Sequence, residues 1–431
     1  MVNIVVEGVE EERVAFFFSG CSSVKVENLG FGLSNTQTSH GGTTYLPTEN
    51  WYPLALEGNV GVEVVGCKFV TPRTAVFADA YHGAANRNIN VHDNEFGGVA
   101  NYSILARNAD GVRFAGNHCE GTGRSWHTFG EDVALSDGTA NAVVEGNRFI
   151  NPLGVQSRIT PTRNVGPTTI SANVKTGGGR FVEICDASNI TITGNASTST
   201  DLTEHVLFTS EINANNEHVT IAGNVFVNGG HCVGDYYAGG RLKDGLVFAN
   251  NVCSNTFGPQ AWNSRAGVIF EGNRFDLSSA GREIRVGGYG LVFKGNSIRN
   301  GYVSLVDNGA AIVEGNFFLG SATSPVPYAL NVSGTVGHQV RGNWIEPGSY
   351  LSYINQSPAL PVGFRYLDAG VDASPDVAFA GKIRCNVGDT IENGVPVELG
   401  AILEKYVITG WKCTRAGTPG TWLPLRALTG H

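Results

Sequence analysis

One phrase recurs along this chain: apolar, any, apolar, any, Gly, Asn, any, apolar. It reads GVRFAGNHC at 111–119, NAVVEGNRF at 141–149, HVTIAGNVF at 218–226 and GVIFEGNRF at 267–275, with further copies as far as HQVRGNWI at 338–345. Aligned, the Asn falls at Asn94, Asn117, Asn147, Asn195, Asn224, Asn251, Asn273, Asn296, Asn316 and Asn343, mostly 20–30 residues apart. Repeats of this length mark stacked units, none of which can bury its apolar face alone. The alternation around each Asn has period two, which is strand and not helix. Asn tolerates the left-handed backbone of a sharp bend, and stacked Asn side chains can bond to one another along the stack. A second strand precedes each phrase: YSILARN at 102–108, EDVALSD at 131–137, RFVEICD at 180–186, EHVLFTS at 204–210, REIRVGG at 282–288. The expected fold is all-β, a right-handed parallel β-helix with Phe149, Phe226, Phe275 and Phe318 stacked inward.

Two stretches lengthen the spacing, 33–53 and 151–179, and read as loops that either carry function or are tolerated insertions. Regularity ends near 350. The expected organisation is a β-helix over 1–355, a Pro- and Ala-containing linker over 356–380, and a small β module of short, Gly- and Pro-broken strands over 381–431.

Composition narrows the function classes. The formal charge is −9 and no basic stripe stands out, which argues against a nucleic-acid partner. The 58 glycines recur beside Asn, so they mark turns and not disorder. No run of about twenty apolar residues could insert in a membrane as a helix. The opening MVNIVVEGVEEERV lacks the basic and apolar regions of a secretion signal. The eight cysteines form no CxxC pair; Cys119 and Cys253 occupy core positions of the repeat, and Cys385 and Cys413 share the terminal segment and could pair.

The segment from Arg13 to Gly30 and the coils after it resemble the pectate-lyase-like superfamily of parallel β-helices, which includes polysaccharide lyases, polygalacturonase-type hydrolases, C5-epimerases and phage tailspike depolymerases. The stretch GDTIENGVPVELGAILEKYVITGWKCTRAGTPGTW resembles a module common at the ends of tailspikes. The resemblance implies action on a polysaccharide, a homotrimer tied by 381–431, and an extracellular or virion-associated location. Members usually carry a further N-terminal part with a GDG-type segment and a capping helix; that cap is expected to be missing here.

Within the second strands, Val133, Leu135, Val182, Ile184, Val206, Phe208, Ile284 and Val286 are expected inward. Asp132, Glu183, His205, His231, Glu283 and Arg285 are then expected outward. Asp137, Asp186, Glu211 and Asp235 end successive strands and, at about 4.8 Å per coil, would form a carboxylate column. Such a column serves either glycoside hydrolysis, which uses paired carboxylates, or turn capping, which Asp also favours. Asp186 and Glu211 are the first catalytic candidates, with Asp235 and Glu183 as alternates. His205, His231, Arg180, Arg241, Trp262, Arg285 and Tyr236 are candidates for holding substrate.

The polygalacturonase-type motif order is echoed by Cys185–Asp186, Ser210–Glu211, Gly230–His231–Cys232 and Arg241–Leu242–Lys243, none matching in full. β-Elimination is the rival chemistry, with His205 or His231 as base and Arg285, Arg241 or Arg180 clamping a uronate. A non-catalytic glycan-binding or adhesive β-helix is the alternative from another class. A site around His82, His127 and Asp132 is the fallback. No calcium-type Asp cluster or DPH pattern is present, so no metal or cofactor is expected.

Overall fold

The computed structural model describes residues 5–6, 13–32, 38–40, 43–45, 51–70, 72–80, 83–121, 131–150, 157–210, 216–235, 242–261, 266–320, 326–334, 338–346, 349–350, 354–356, 364–368, 387–393, 396–417 and 420–429. Among these there is no helix; the fold is a parallel β-solenoid followed by a small antiparallel sheet. The chain divides into two units, Met1–Leu242 and Lys243–His431.

In the first unit each coil supplies one strand to each of three parallel sheets. Sheet I holds the longer strands that open a coil, such as Tyr102–Arg107, Glu131–Ser136 and Arg180–Cys185. Sheet II holds strands such as Asp110–Ala115 and Ala142–Glu145. Sheet III holds three-residue strands such as His118–Glu120 and Arg148–Ile150. The positions of sheet I expected inward are fully buried: Val133, Leu135, Val182, Ile184, Val206 and Phe208 are all 0% exposed.

The bend between sheets II and III is where the Asn residues stand. Asn117 Nδ2 donates to Asn147 Oδ1 at 3.1 Å and to the Val91 carbonyl at 2.9 Å, while the Asn147 amide donates onward to Asn173. The ladder then runs through Asn195 to Asn224. Each buried amide takes partners from the coils on either side of it, so the column locks the register. The left-handed backbone sits one residue earlier than expected. Gly116, Gly146, Gly194 and Gly223 take φ of 62–64°, and Asp93 and Ala172 take 55° and 54° at the same place. The Asn is therefore kept for its side chain, and the Gly before it for its φ.

Asn173 corrects the reading of 151–179 as one long insertion. A complete coil lies within it: Ser157–Thr162 in sheet I, Thr168–Ser171 in sheet II and Val174–Thr176 in sheet III, paired with the coils on both sides. The other long stretch contains a small antiparallel pair, Thr38–His40 with Thr43–Tyr45.

The second unit repeats the three-sheet plan, with its own Asn ladder from Asn251 through Asn273, Asn296 and Asn316 to Asn343. Ile284, Val286, Phe275 and Phe318 are buried as expected. Within the span expected as linker, Phe364–Asp368 is a strand that pairs in parallel with His338–Arg341 and with Thr390–Glu392. Thr390–Glu392 and Glu398–Leu399 pair antiparallel with Tyr406–Arg415, which in turn pairs with Thr421–Leu428. Cys413 is a free thiol, so the pairing with Cys385 is not made. Cys253 is buried as expected but is also disulfide-bonded.

Candidate functional site

The C-terminal ends of the sheet I strands in the first unit carry the polar groups of interest. Register fixes their order: Ser136 lies opposite Thr162, Thr162 opposite Cys185, and Cys185 opposite Thr209. One residue further on, the column reads Asp137, Arg163, Asp186, Ser210. The expected run of carboxylates is thereby corrected. The coil hidden in 151–179 inserts a guanidinium between the first two acids. Arg163 Nη2 meets Asp137 Oδ1 at 2.5 Å. On its other side Asp137 lies 3.9 Å from Arg107, which is itself 3.5 Å from Asp79. Ser210 Oγ donates to Asp186 Oδ1 at 2.6 Å. Alternating charge removes the repulsion that a pure acid column would carry. Asp137, Arg163 and Asp186 all have φ near 50°, so these residues make the turn and display their side chains at once.

A second cluster adjoins it on the outward face. Arg180, 18% exposed, donates from Nη1 to Glu183 at 3.0 Å and from Nε to Glu204 at 3.2 Å. The other oxygen of Glu183 accepts from Thr209 Oγ1 at 3.1 Å. Glu204 was not singled out from the sequence; its signal was an acid at the first position of an expected strand of the same series, 204–210. Arg163 was missed because its coil was missed.

The turn that presents Arg180 is held from beneath. Lys175 Nζ donates to the Gly179 carbonyl at 2.6 Å, and the Gly179 amide donates to Asp201 Oδ2 at 2.9 Å. Asp201 also accepts from Ser199 and Thr203. Burial opposes its charge, but these hydrogen bonds prevail and bring its carboxyl down to about 2.

Several expected positions are corrected. His205 is 1% exposed and not outward. Its strand begins at Val206, so alternation does not extend back to it. The ring packs on Phe226, its Nε2 donates to the Asn228 carbonyl at 2.8 Å, and its Nδ1 accepts from Ser197 Oγ at 2.8 Å. Burial takes its pKa down to about 4. Asp132 and Asp235 are both 0% exposed; Asp235 follows Gly234, which is opposite Leu207, and so falls at the inward register of Phe208.

His231 is half-buried, and its carbonyl accepts the His205 amide at 2.9 Å. Arg285 belongs to the second unit, in register with Gln260 and Ser304, and Ser304 accepts from Asn331 at 3.1 Å. Beside it Glu283 lies opposite Tyr302, whose ring meets Tyr328 edge-on at 4.8 Å. Burial first, and Glu283 second, push the Tyr302 hydroxyl above its ordinary range. Glu211, Tyr236, Arg241 and Trp262 lie outside the described residues, as do His82 and His127. Among the described residues no group of three or more His, Cys, Asp or Glu is placed to hold a metal ion, and no helix is long and apolar enough to cross a membrane.

No family model and no curated protein matches the chain. Among solved structures it is similar to the A-module of the Azotobacter vinelandii mannuronan C-5 epimerase AlgE6, at 11% identity and a TM-score of 0.28 over 83% of this chain and 91% of that one. It is also similar to tailspike protein 3 of bacteriophage CBA120, at 11% identity and a TM-score of 0.31, where all of this chain spans 59% of the tailspike. At these scores neither likeness bears on the chemistry of the site.

Proposed function

We propose that the chain is an endo-acting depolymerase of a bacterial surface or extracellular polysaccharide, and that it works by hydrolysis. The observation that carries this reading is the Asp137–Arg163–Asp186 column at the strand ends of sheet I. Its two acids stand two strand spacings apart, roughly 9–10 Å between backbones. That is near the upper end of the separation used by inverting glycosidases, about 6.5–9.5 Å between carboxyls. Asp186 is the first catalytic candidate. Its partner is Asp137, two strands away, or Glu211, which follows Ser210 in the chain. Arg180, held by Glu183 and Glu204, then serves to orient sugar hydroxyls or carboxylates.

β-Elimination is less well supported. It needs a base, and the ring nitrogens of His205 are committed inside the core; His231 remains as a candidate. Incubation with a panel of capsular, exopolysaccharide and O-antigen preparations tests the reading. New reducing ends without the ultraviolet chromophore of an unsaturated uronate are expected, and Asp186→Asn should lower their release at least about a hundredfold with glycan binding retained. Release accompanied by the chromophore would establish a lyase, and binding without release an adhesin. Near-full activity of both Asp186→Asn and Asp137→Asn would reduce the column to turn capping.

The same reading includes a homotrimer and an extracellular or virion-associated setting. Val397, Leu399, Ile402, Leu403, Leu423 and Leu425 are exposed on the terminal module, and clustered exposed apolar side chains mark association surfaces. Light scattering should give three times 45.6 kDa; a monomer mass would remove the assembly from the proposal.

A further inference from the structure

The inward column of sheet III in the first unit runs Phe31, Phe69, Phe96, Cys119, Phe149, Lys175, Ser197, Phe226 in register. An aromatic stack is thus interrupted by a polar stretch. Sheet I supplies polar partners at the same depth: Ser103, Asp132 and Arg158 are at most 2% exposed. Asp132 accepts from Arg158 Nη1 at 2.6 Å through one oxygen and from Ser103 Oγ at 3.3 Å through the other.

Arg158 is the group this arrangement does not satisfy. Its Nε and Nη2 are buried, and no acceptor among the described residues reaches them. These two N–H groups share one edge of the guanidinium, the edge that grips an anion with two parallel hydrogen bonds. Lys175, 1% exposed, is a second enclosed cation, and its one hydrogen bond is to the neutral Gly179 carbonyl. Asp201, the other acid near it, lies nearer the surface and is already engaged by Ser199, Thr203 and Gly179. When Lys175 is protonated, the fully enclosed groups Arg158, Asp132 and Lys175 carry one excess positive charge, offset in part by the half-buried Asp201, and a buried charge left without a counter-charge is costly. A water molecule is a poor remedy, because its own two hydrogens would need acceptors in a place that offers donors. Burial, and then the Arg158 charge, take the Lys175 ammonium down to about 7.

We propose that a chloride-sized monovalent anion is held inside the first unit by Arg158 Nε and Nη2, with the Lys175 ammonium as its second counter-charge. With the anion in place, the excess charge is cancelled and both orphaned donors are used. The site is internal and separate from the strand-end column.

Crystals of the unmodified protein grown from chloride buffer give the test. Diffraction recorded at long wavelengths on both sides of the chlorine absorption edge should show an anomalous peak touching Arg158 Nε and Nη2, and that peak should vanish on the low-energy side. No density there, ordinary water density without the anomalous signal, or chlorine peaks confined to the surface would overturn the proposal. In solution, the melting temperature should be higher in sodium chloride than in sodium gluconate at equal ionic strength, because the bulkier anion does not fit. The difference should disappear in Lys175→Met, which keeps the length of the side chain and removes its charge. Equal melting of the unmodified protein in both salts counts against the site even if Arg158 variants fail to fold.

Discussion

At the scale of single residues, the interior of the first unit is less uniform than a stack of aromatic rings. Phe226 is fully buried and carries the His205 ring on one face. Phe226→Ala should cost about 3–5 kcal/mol, since a packed neighbour cannot fill the cavity; a urea-derived loss below about 1 kcal/mol would show that the site collapses freely. His205 adds a dependence on acid. Its folded pKa is about 4, against about 6.5 for a free imidazole. Between those values the unfolded chain takes a proton that the native ring refuses. Stability is therefore full above about pH 6.5 and falls by about 3 kcal/mol towards about pH 4. His338, 0% exposed in the second unit and also brought to about 4 by burial, should add to the loss. Urea midpoints that stay constant from about pH 7 to about pH 4.5 would contradict both assignments.

At the scale of the strand and the turn, the Asn ladder is the device most open to direct test. Asn173 donates to the Val144 carbonyl and to Asn195, and accepts from both the backbone and the side chain of Asn147. Asn173→Ala leaves buried donors and acceptors on two coils without partners, and at about 1–3 kcal/mol per group the loss should exceed about 3 kcal/mol. A substitution that melts like the parent would mean that the ladder is replaceable by water. The ladder was readable in the sequence because Gly–Asn and its flanking alternation form a short local pattern.

The coil around Asn173 escaped because Ala172 stands for Gly and Lys175 for Phe, which hid both signatures at once. With that coil missing, the order of groups along the column was wrong: Asp137 and Asp186 looked adjacent, and Arg163 between them was invisible. His205 was turned outward by extending alternation past the end of a short strand, where the rule has no backbone to act on, and Asp235, expected in the strand-end column of carboxylates, falls at a buried position instead. Asp186 and Glu183 were placed on the accessible face because they lie within or just beyond a regular six-residue strand. What the sequence could not supply was the third dimension of charge, namely which acid meets which base across coils.

At the scale of the whole molecule, stacked coils exchange contacts chiefly with the coils beside them, and such arrays gain order by propagation from a nucleus. The coil of Ser157–Thr162 and Val174–Thr176 brings Arg158 and Lys175 to the interior where its neighbours bring Phe181 and Phe149. Its entry into the stack strips water from charge before much apolar area is gained, so it is the slow rung. Within the first unit, two aromatic-lined runs of coils should order early, on either side of it, and the polar rung should close between them. Pulse-labelled hydrogen exchange during refolding should find the amides of 158–176 protected after those of 89–119 and 219–226; simultaneous protection would argue against a divided path. A chain built this way is a zipper with one stiff tooth, and that tooth should set the moment at which the two halves of its track become one continuous stack.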